Sequence, residues 1–205
     1  MNQIIDIAFS NTVKAIQARK GSRDVYVNMA QRGNWSNEIN DELRAFIGQQ
    51  QSIYLGTVGS NGQPYIQHRG GPPGFLQVLD NRTIAFADFK GNRQYISQGN
   101  LQDNPKAFLF LMDYSIPRRL KIWGEARVIE DDKALIQQLM PAGYRAKPEQ
   151  VILFTVNLWD FNCRQHISLR FDKANVNQAI ETRDRRIQEL EATIAQLKKQ
   201  RAHER

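Results

Sequence analysis

Lys90, Gly91, Asn92 and Arg93 place two cations and an amide donor around a glycine, directly after an apolar, aromatic run that ends at Phe89. That run reads as a strand, and the polar residues after Arg93 suit a short helix. A strand that turns through glycine into a helix start leaves backbone N–H groups free and aimed at one spot. With Lys90, Asn92 and Arg93 beside them, this is the equipment of a phosphate site. A solvated turn carrying two surface charges accounts for the same four residues, so other positions must decide.

Three further stretches carry polar groups. Gln67, His68, Arg69 and Gly70 lead into Gly71, Pro72, Pro73 and Gly74. The glycine-rich part is not a Walker loop, because no Lys-Ser/Thr pair follows it. It reads either as a tight chain reversal or as a backbone edge that a flat ring can approach. A lone histidine on a strand, as at His68, is more often a structural hydrogen-bonder than a catalyst. Arg119 and Lys121 lie two apart on an expected strand and so face one side. Last come Trp159, Asn162, Cys163, Arg164, Gln165, His166 and Arg170. Arg164 and His166 would lower the thiol pKa of Cys163. As the only cysteine it forms no internal dithiol, and a structural placement is the expectation.

From about residue 10 to Phe171 these segments, in this order, resemble the pyridoxamine 5′-phosphate oxidase-like flavoproteins, which are split barrels binding FMN. They resemble in particular a bacterial subgroup of predicted FMN-binding proteins. The resemblance implies that Lys90, Gly91, Asn92 and Arg93 hold the FMN phosphate. It places Gln67, His68, Arg69 and Gly70 beside the flavin ring and phosphate, with Arg69 making a charge-assisted contact. Arg119 matches a flavin-contacting position, and Lys121 shares its face. Trp159 matches a ring-flanking aromatic, although a core tryptophan is an equal reading. Asn162, Gln165, His166 and Arg170 correspond to a segment that reaches the flavin of the neighbouring subunit, so a homodimer with FMN at its interface is implied. In the family the phosphate turn typically ends in a hydroxyl residue and two basic residues. Here it ends in Gly91, Asn92 and Arg93, so Lys90 or Arg69 would have to compensate.

The activity implied is that of an FMN-dependent oxidoreductase, with flavin N5 exchanging hydride with a small donor such as a reduced nicotinamide or an amine. A cation near the N1–C2 carbonyl edge, as Arg119 would be, stabilises the anionic reduced ring. Pyridoxamine phosphate oxidation itself needs a second phosphate-binding set, which these residues do not assemble. The alternative is a non-catalytic module that holds FMN, haem or a deazaflavin for storage or sensing, its tail connecting to a partner.

Composition bounds these readings. The 205 residues suffice for one domain and an extension. The net charge of +7 divides into +1 over residues 1–51, +4 over 52–171 and +2 over 172–205. No segment is a concentrated basic tail, and the largest share lies with the phosphate motifs. An anionic-ligand pocket explains it as well as a nucleic-acid face would. Neither zinc-finger spacing nor an RNA-binding aromatic signature supports the latter. No apolar run reaches about 18 residues, the usual span of a membrane helix, and the amino terminus does not read as a signal peptide. A single cysteine fits a reducing cytoplasm. His68, His166, His203 and Cys163 give no zinc spacing, so no metal is expected.

What must position these groups is an antiparallel barrel. Apolar positions at Ile5, Phe9, Val13 and Ile16 predict an amphipathic helix over 4–20. Residues 21–36 read as an irregular connection, and 38–50 as a helix. Strands are predicted at 52–58, 64–69, 75–79, 83–89, 107–112, 119–129 and 151–158, with an acid-capped helix over 131–140. The Asn61-Gly62 pair is a hairpin signal between the first two. Seven strands with mostly short turns, flanked by helices, predict an α+β antiparallel split barrel. The chain therefore divides into a helical segment (1–51), the FMN-binding barrel (52–171) and a tail (172–205). In the tail, Ile180, Ile187 and Ile194 recur every seven residues. Val176, Leu190 and Leu197 fill the alternate seam position, which Arg183 interrupts. This pattern predicts a coiled-coil-like helix that pairs with itself, with Arg186 and Glu191 attracting across the dimer. An amphipathic helix packed on its own barrel is the other reading.

Overall fold

The computed structural model describes residues 3–32, 35–162 and 165–203. It divides into two compact units, Met1–Asp113 with Arg118–Gln165, and Tyr114–Pro117 with His166–Arg205. Among the described residues, no helix is long and apolar enough to cross a membrane.

The larger unit is mixed α+β and carries one antiparallel sheet of seven strands. These are β1 (Ser52–Val58), β2 (Pro64–Gly70), β3 (Gln77–Val78), β4 (Thr83–Phe89), β5 (Lys106–Asp113), β6 (Arg118–Ile129) and β7 (Pro148–Asn162). Their hydrogen-bonded order is β2-β1-β5-β6-β7-β4-β3. Alternate residues point to alternate faces. Ile53 and Leu55 of β1, Leu109 and Leu111 of β5, and Leu120 and Ile122 of β6 are all fully buried in one core. Strand β4 is buried on both faces. Ile84 and Phe86 enter the main core, while Ala85 and Ala87 pack with Leu139 and Val151 in a second cluster. That is why its sequence is a continuous apolar run instead of an alternation. The architecture is the split barrel expected from the strand pattern.

The β6–β7 ladder shifts register between Trp123 and Gly124. A side chain at Gly124 would place its Cβ only 2.1 Å from the Thr155 carbonyl oxygen and 2.5 Å from the Phe154 ring. The bulge therefore admits no residue but glycine. At the β1–β2 hairpin, Gly62 takes φ +80° and the Asn61 side chain accepts from Gln63 N–H at 3.0 Å.

Helices α1 (Asn11–Arg19), α2 (Arg23–Gln31) and α3 (Asp41–Gly48) precede the sheet; α4 (Ile96–Asp103) and α5 (Lys133–Leu139) lie within it in sequence. Four details differ from the sequence expectation. The helix predicted over 4–20 is two pieces, a 3-10 turn at Gln3–Ile7 and α1. Ser10 caps α1 by accepting from Val13 N–H, which starts a new helix instead of continuing the old one. The stretch expected to be irregular over 21–36 contains α2. The strand predicted over 75–79 shrinks to Gln77–Val78, because Phe75 and Leu76 turn into the core after Gly74 at φ +85°. Finally, β7 runs well past both ends of 151–158. The N-terminal elements cover the outer face of β6, where Trp35 stacks on Trp123 with ring centroids 6.2 Å apart.

The smaller unit is dominated by α6 (Lys173–His203), 31 residues long. Val176, Ile180, Ile187, Leu190, Ile194 and Leu197 are 42–54% exposed along it. Before the helix, Arg170 N–H donates to the Tyr114 carbonyl at 3.0 Å, and its guanidinium lies 4.4 Å from the Tyr114 ring centroid.

Candidate functional site

Strand alternation sends Gln67 and Arg69 of β2 to one side and His68 to the other. His68 Nε2 shares a 2.7 Å hydrogen bond with Ser52 Oγ and sits edge-on to Tyr54. That is a structural contact, away from the phosphate turn. Gln67 and Arg69 meet the end of β4 and the start of α4. Ser97 Oγ donates to Gln67 Oε1 at 2.8 Å, and Arg69 Nη1 lies 3.2 Å from Asp88 Oδ1. Together with Gly91, Asn92 and Arg93 these residues enclose a cleft of about 40 Å³. The sequence-predicted turn and strand are thus brought to one place.

Asp88 forms the floor. Its side chain is 7% exposed, and burial pushes the carboxyl pKa above its ordinary value. The Arg69 charge and a hydrogen bond from Gln150 Nε2 at 2.9 Å oppose that shift without cancelling it. Asp88 Oδ1 and Arg69 Nε are both buried without a hydrogen-bond partner among the described residues, so the ion pair is a close approach lacking hydrogen-bond alignment. Unsatisfied buried polar atoms cost free energy, and a ligand or water that reached them would relieve it.

The turn itself is more contorted than a strand running straight into a helix. Lys90 N–H donates to the Lys147 carbonyl at 2.9 Å. Arg93 and Tyr95 adopt φ of 60° and 53°, the left-handed region that strains residues other than glycine. Helix α4 begins only at Ile96, after Gln94 and Tyr95 extend the turn beyond Arg93. Tyr95 at its N-cap offers no side-chain hydrogen bond, so the N–H groups of the first turn keep no side-chain cap. Arg93 Nε donates to Tyr95 Oη at 3.0 Å, and Tyr95 Oη donates to Glu149 Oε1 at 2.9 Å. The cleft therefore sets two guanidiniums, Arg69 and Arg93, against two carboxylates, Asp88 and Glu149. Its affinity for an anion would rest on aimed donors more than on net charge. Gly91 adds open space, since a Cβ there meets only the Phe89 carbonyl at 4.0 Å.

The remaining expected residues lie elsewhere. Lys90 is exposed and Gly70 ends β2; neither lines the cleft. Lys121 Nζ is 3.0 Å from Asp160 Oδ2 and 5.2 Å from the Trp123 ring centroid, on the outer face of β6. Burial raises the Asp160 pKa, and Lys121 offsets part of the rise. Arg119 is partly buried, its Nε without a hydrogen-bond partner among the described residues, and is in register with Asn162. Trp159 packs in the barrel core and donates Nε1–H to the Glu38 carbonyl at 2.8 Å. The Asn162 side chain, Cys163 and Arg164 lie outside the described residues. Gln165 is exposed in a turn of the larger unit; His166, at φ 61°, and Arg170 belong to the smaller one.

Asp88, Tyr95, Ser97, Glu149 and Gln150 line the cleft and were not singled out from sequence. Asp88 carried a signal, being the one charge in the otherwise apolar β4. Glu149 and Gln150 carried none, since they arrive from the first residues of β7. Among the described residues no group of three potential metal ligands gathers.

Comparison with curated proteins gives no match. Among solved structures the chain is similar to HupZ of Group A Streptococcus, at 18% identity over 60% of this chain and 99% of that one, with a TM-score of 0.47. A putative pyridoxamine 5′-phosphate oxidase from Lactobacillus delbrueckii is 22% identical over 60% of this chain and 94% of that one, with a TM-score of 0.45. HutZ of Vibrio cholerae, described as a haem storage protein, is 16% identical over 58% and 89%, with a TM-score of 0.37. The model of the family described as pyridoxamine 5′-phosphate oxidase matches residues 39–163, which hold the whole sheet and every residue lining the cleft, and this chain belongs to that family.

Proposed function

We propose that the barrel binds FMN and acts as an FMN-dependent oxidoreductase on a small-molecule donor. The observation that carries this is the meeting of Gln67 and Arg69 with Asn92 and Arg93 at one cleft, in a chain of this family. Asn92, Arg93 and the uncapped first turn of α4 would hold the phosphate, and Arg69 Nε supplies a buried donor with no partner among the described residues. The cleft has room for the phosphate end alone, so the ring lies outside it. A homodimer with the ring at the subunit interface accounts for that, with Arg119, Asn162, Gln165, His166 and Arg170 as candidates for ring contacts. Bound FMN would supply hydride transfer at N5, and the protein supplies orientation and charge. A reducing, cytoplasmic setting suits a chain with one cysteine.

The test is an absorbance spectrum of FMN-reconstituted protein, followed by anaerobic addition of reduced nicotinamide and of amines. Bound flavin bands that bleach on addition are the expected result. Flavin that binds and stays oxidised with every donor overturns the enzymatic part and leaves a binding or sensing module. Failure to retain FMN, with retention of haem or a deazaflavin instead, overturns the cofactor.

A further inference from the structure

We infer that α6 pairs with α6 of a second copy as a parallel, in-register two-stranded coil, and that Arg183 fixes this arrangement. The inference is independent of the flavin reading. The helix carries a seam of six large apolar residues from Val176 to Leu197, all exposed. That seam spans about 30 Å at 1.5 Å per residue. Isoleucine occupies one seam position at 180, 187 and 194, while leucine holds the other at 190 and 197. This division favours two parallel strands.

Charge decides the orientation. In a parallel pair, Arg186 of one chain lies beside Glu191 of the other, twice by symmetry, and the attraction is mutual. The antiparallel register that overlaps the seam from Ile180 to Leu197 sets Ile180 against Leu197 and Ile187 against Leu190. It then places Asp184 beside Glu191 of the other chain, twice, which repels. It also sets Arg183 against Ile194, where the guanidinium faces only hydrocarbon. In the parallel pair Arg183 stands opposite its own copy, and Asp184 of both chains, next to the two guanidiniums, offsets their mutual repulsion. Arg183 Nε already lies 3.9 Å from its own Asp184 Oδ1, with the side chain 71% exposed. A polar residue at one seam position costs stability and selects the register that best satisfies it.

The experiment uses the full chain with Cys163→Ser and a single new cysteine. Leu197→Cys is expected to oxidise to a disulfide-linked dimer on a non-reducing gel, at least about tenfold faster than the outward-facing Gln196→Cys, because seam residues of parallel chains meet their own copies. A mixture of Ile180→Cys and Leu197→Cys chains is expected to give the two homodimers and little mixed dimer. Mixed dimer in excess overturns the parallel orientation. Absence of any Leu197→Cys cross-link, including from a dimer held through the barrels alone, overturns pairing of the tails. Adding Arg183→Leu should raise the thermal midpoint of the helix and increase the share of mixed cross-link, while the Arg186–Glu191 attraction still keeps the homodimers in excess. Unchanged parallel preference in that variant overturns the role of Arg183.

Discussion

Arg69 and Asp88 stand 3.2 Å apart, although their strands are first and sixth in the hydrogen-bonded order of the sheet. The ends of the sheet therefore curl together, and side chains, not a backbone ladder, close the gap between β2 and β4. The same contact forms the floor of the candidate site, so barrel closure and ligand chemistry share one pair of residues.

Breaking that pair from one side should be expensive. Arg69→Met leaves a carboxylate that is 7% exposed without its cation, and the expected loss is about 3 kcal/mol. Removing both charges with Arg69→Met and Asp88→Leu should recover most of it, because two desolvated charges disappear together. Urea unfolding of the two single variants and the double variant measures the coupling, and a simply additive double variant would contradict the pairing.

Asp88 and Asp160 also set a pH dependence with an unusual sign for carboxylates. Burial raises both pKa values above the ordinary 3.8 of an aspartate, so between 3.8 and the raised values the folded state binds more protons than the unfolded one. Their contribution to stability is fully present below 3.8 and is lost as pH rises through the folded values. Asp88→Asn should remove its share of that fall, flattening the plot of unfolding free energy against pH across this window. An unaltered slope would show that the carboxyl titrates normally in the folded protein.

Gly124→Ala tests the bulge. With a Cβ 2.1 Å from a backbone oxygen and 2.5 Å from a ring, either the β6–β7 register or the Phe154 rotamer must give way. The expected loss is at least about 3 kcal/mol. Gly91→Ala, where the nearest atom is 4.0 Å away, should stay within about 0.5 kcal/mol by the same thermal or urea measurement.

For the ligand, the geometry separates two cations that sequence treats alike. Arg93 lines the cleft and Lys90 does not. Arg93→Ala should weaken FMN binding by about tenfold to a hundredfold, the worth of a charge-assisted hydrogen bond. Lys90→Ala should weaken it by less than about threefold, as an exposed charge does. Titration of flavin fluorescence reads both; a larger effect at Lys90 would move the phosphate off the cleft.

Strands were legible because their apolar period is local: Ser52–Val58 and Lys106–Asp113 announce themselves within a few residues. The heptads of α6 were legible for the same reason. Helix α2 was not, since only Ala30 of its nine residues is buried and little periodicity survives. Ser10 shows a readable signal passed over, for a serine followed by a helical pattern is a start mark that should have divided 4–20. At the site, Arg69 and Arg93 were visible as cations in suggestive company. Their partners Asp88 and Glu149 were not, because which carboxylate meets which guanidinium depends on how the sheet curls. No period in the chain encodes that.

A seam held by side chains can part without the loss of any sheet hydrogen bond. Among the described residues, the polar side-chain ties along this line are the Arg69–Asp88 contact and, from α4, the Ser97–Gln67 bond, whereas β6 is tied along its length to both neighbours. Local opening is therefore expected first along this line. Amide protons of β2 facing that line should exchange with solvent through small local excursions, while those of β6 should wait for global unfolding.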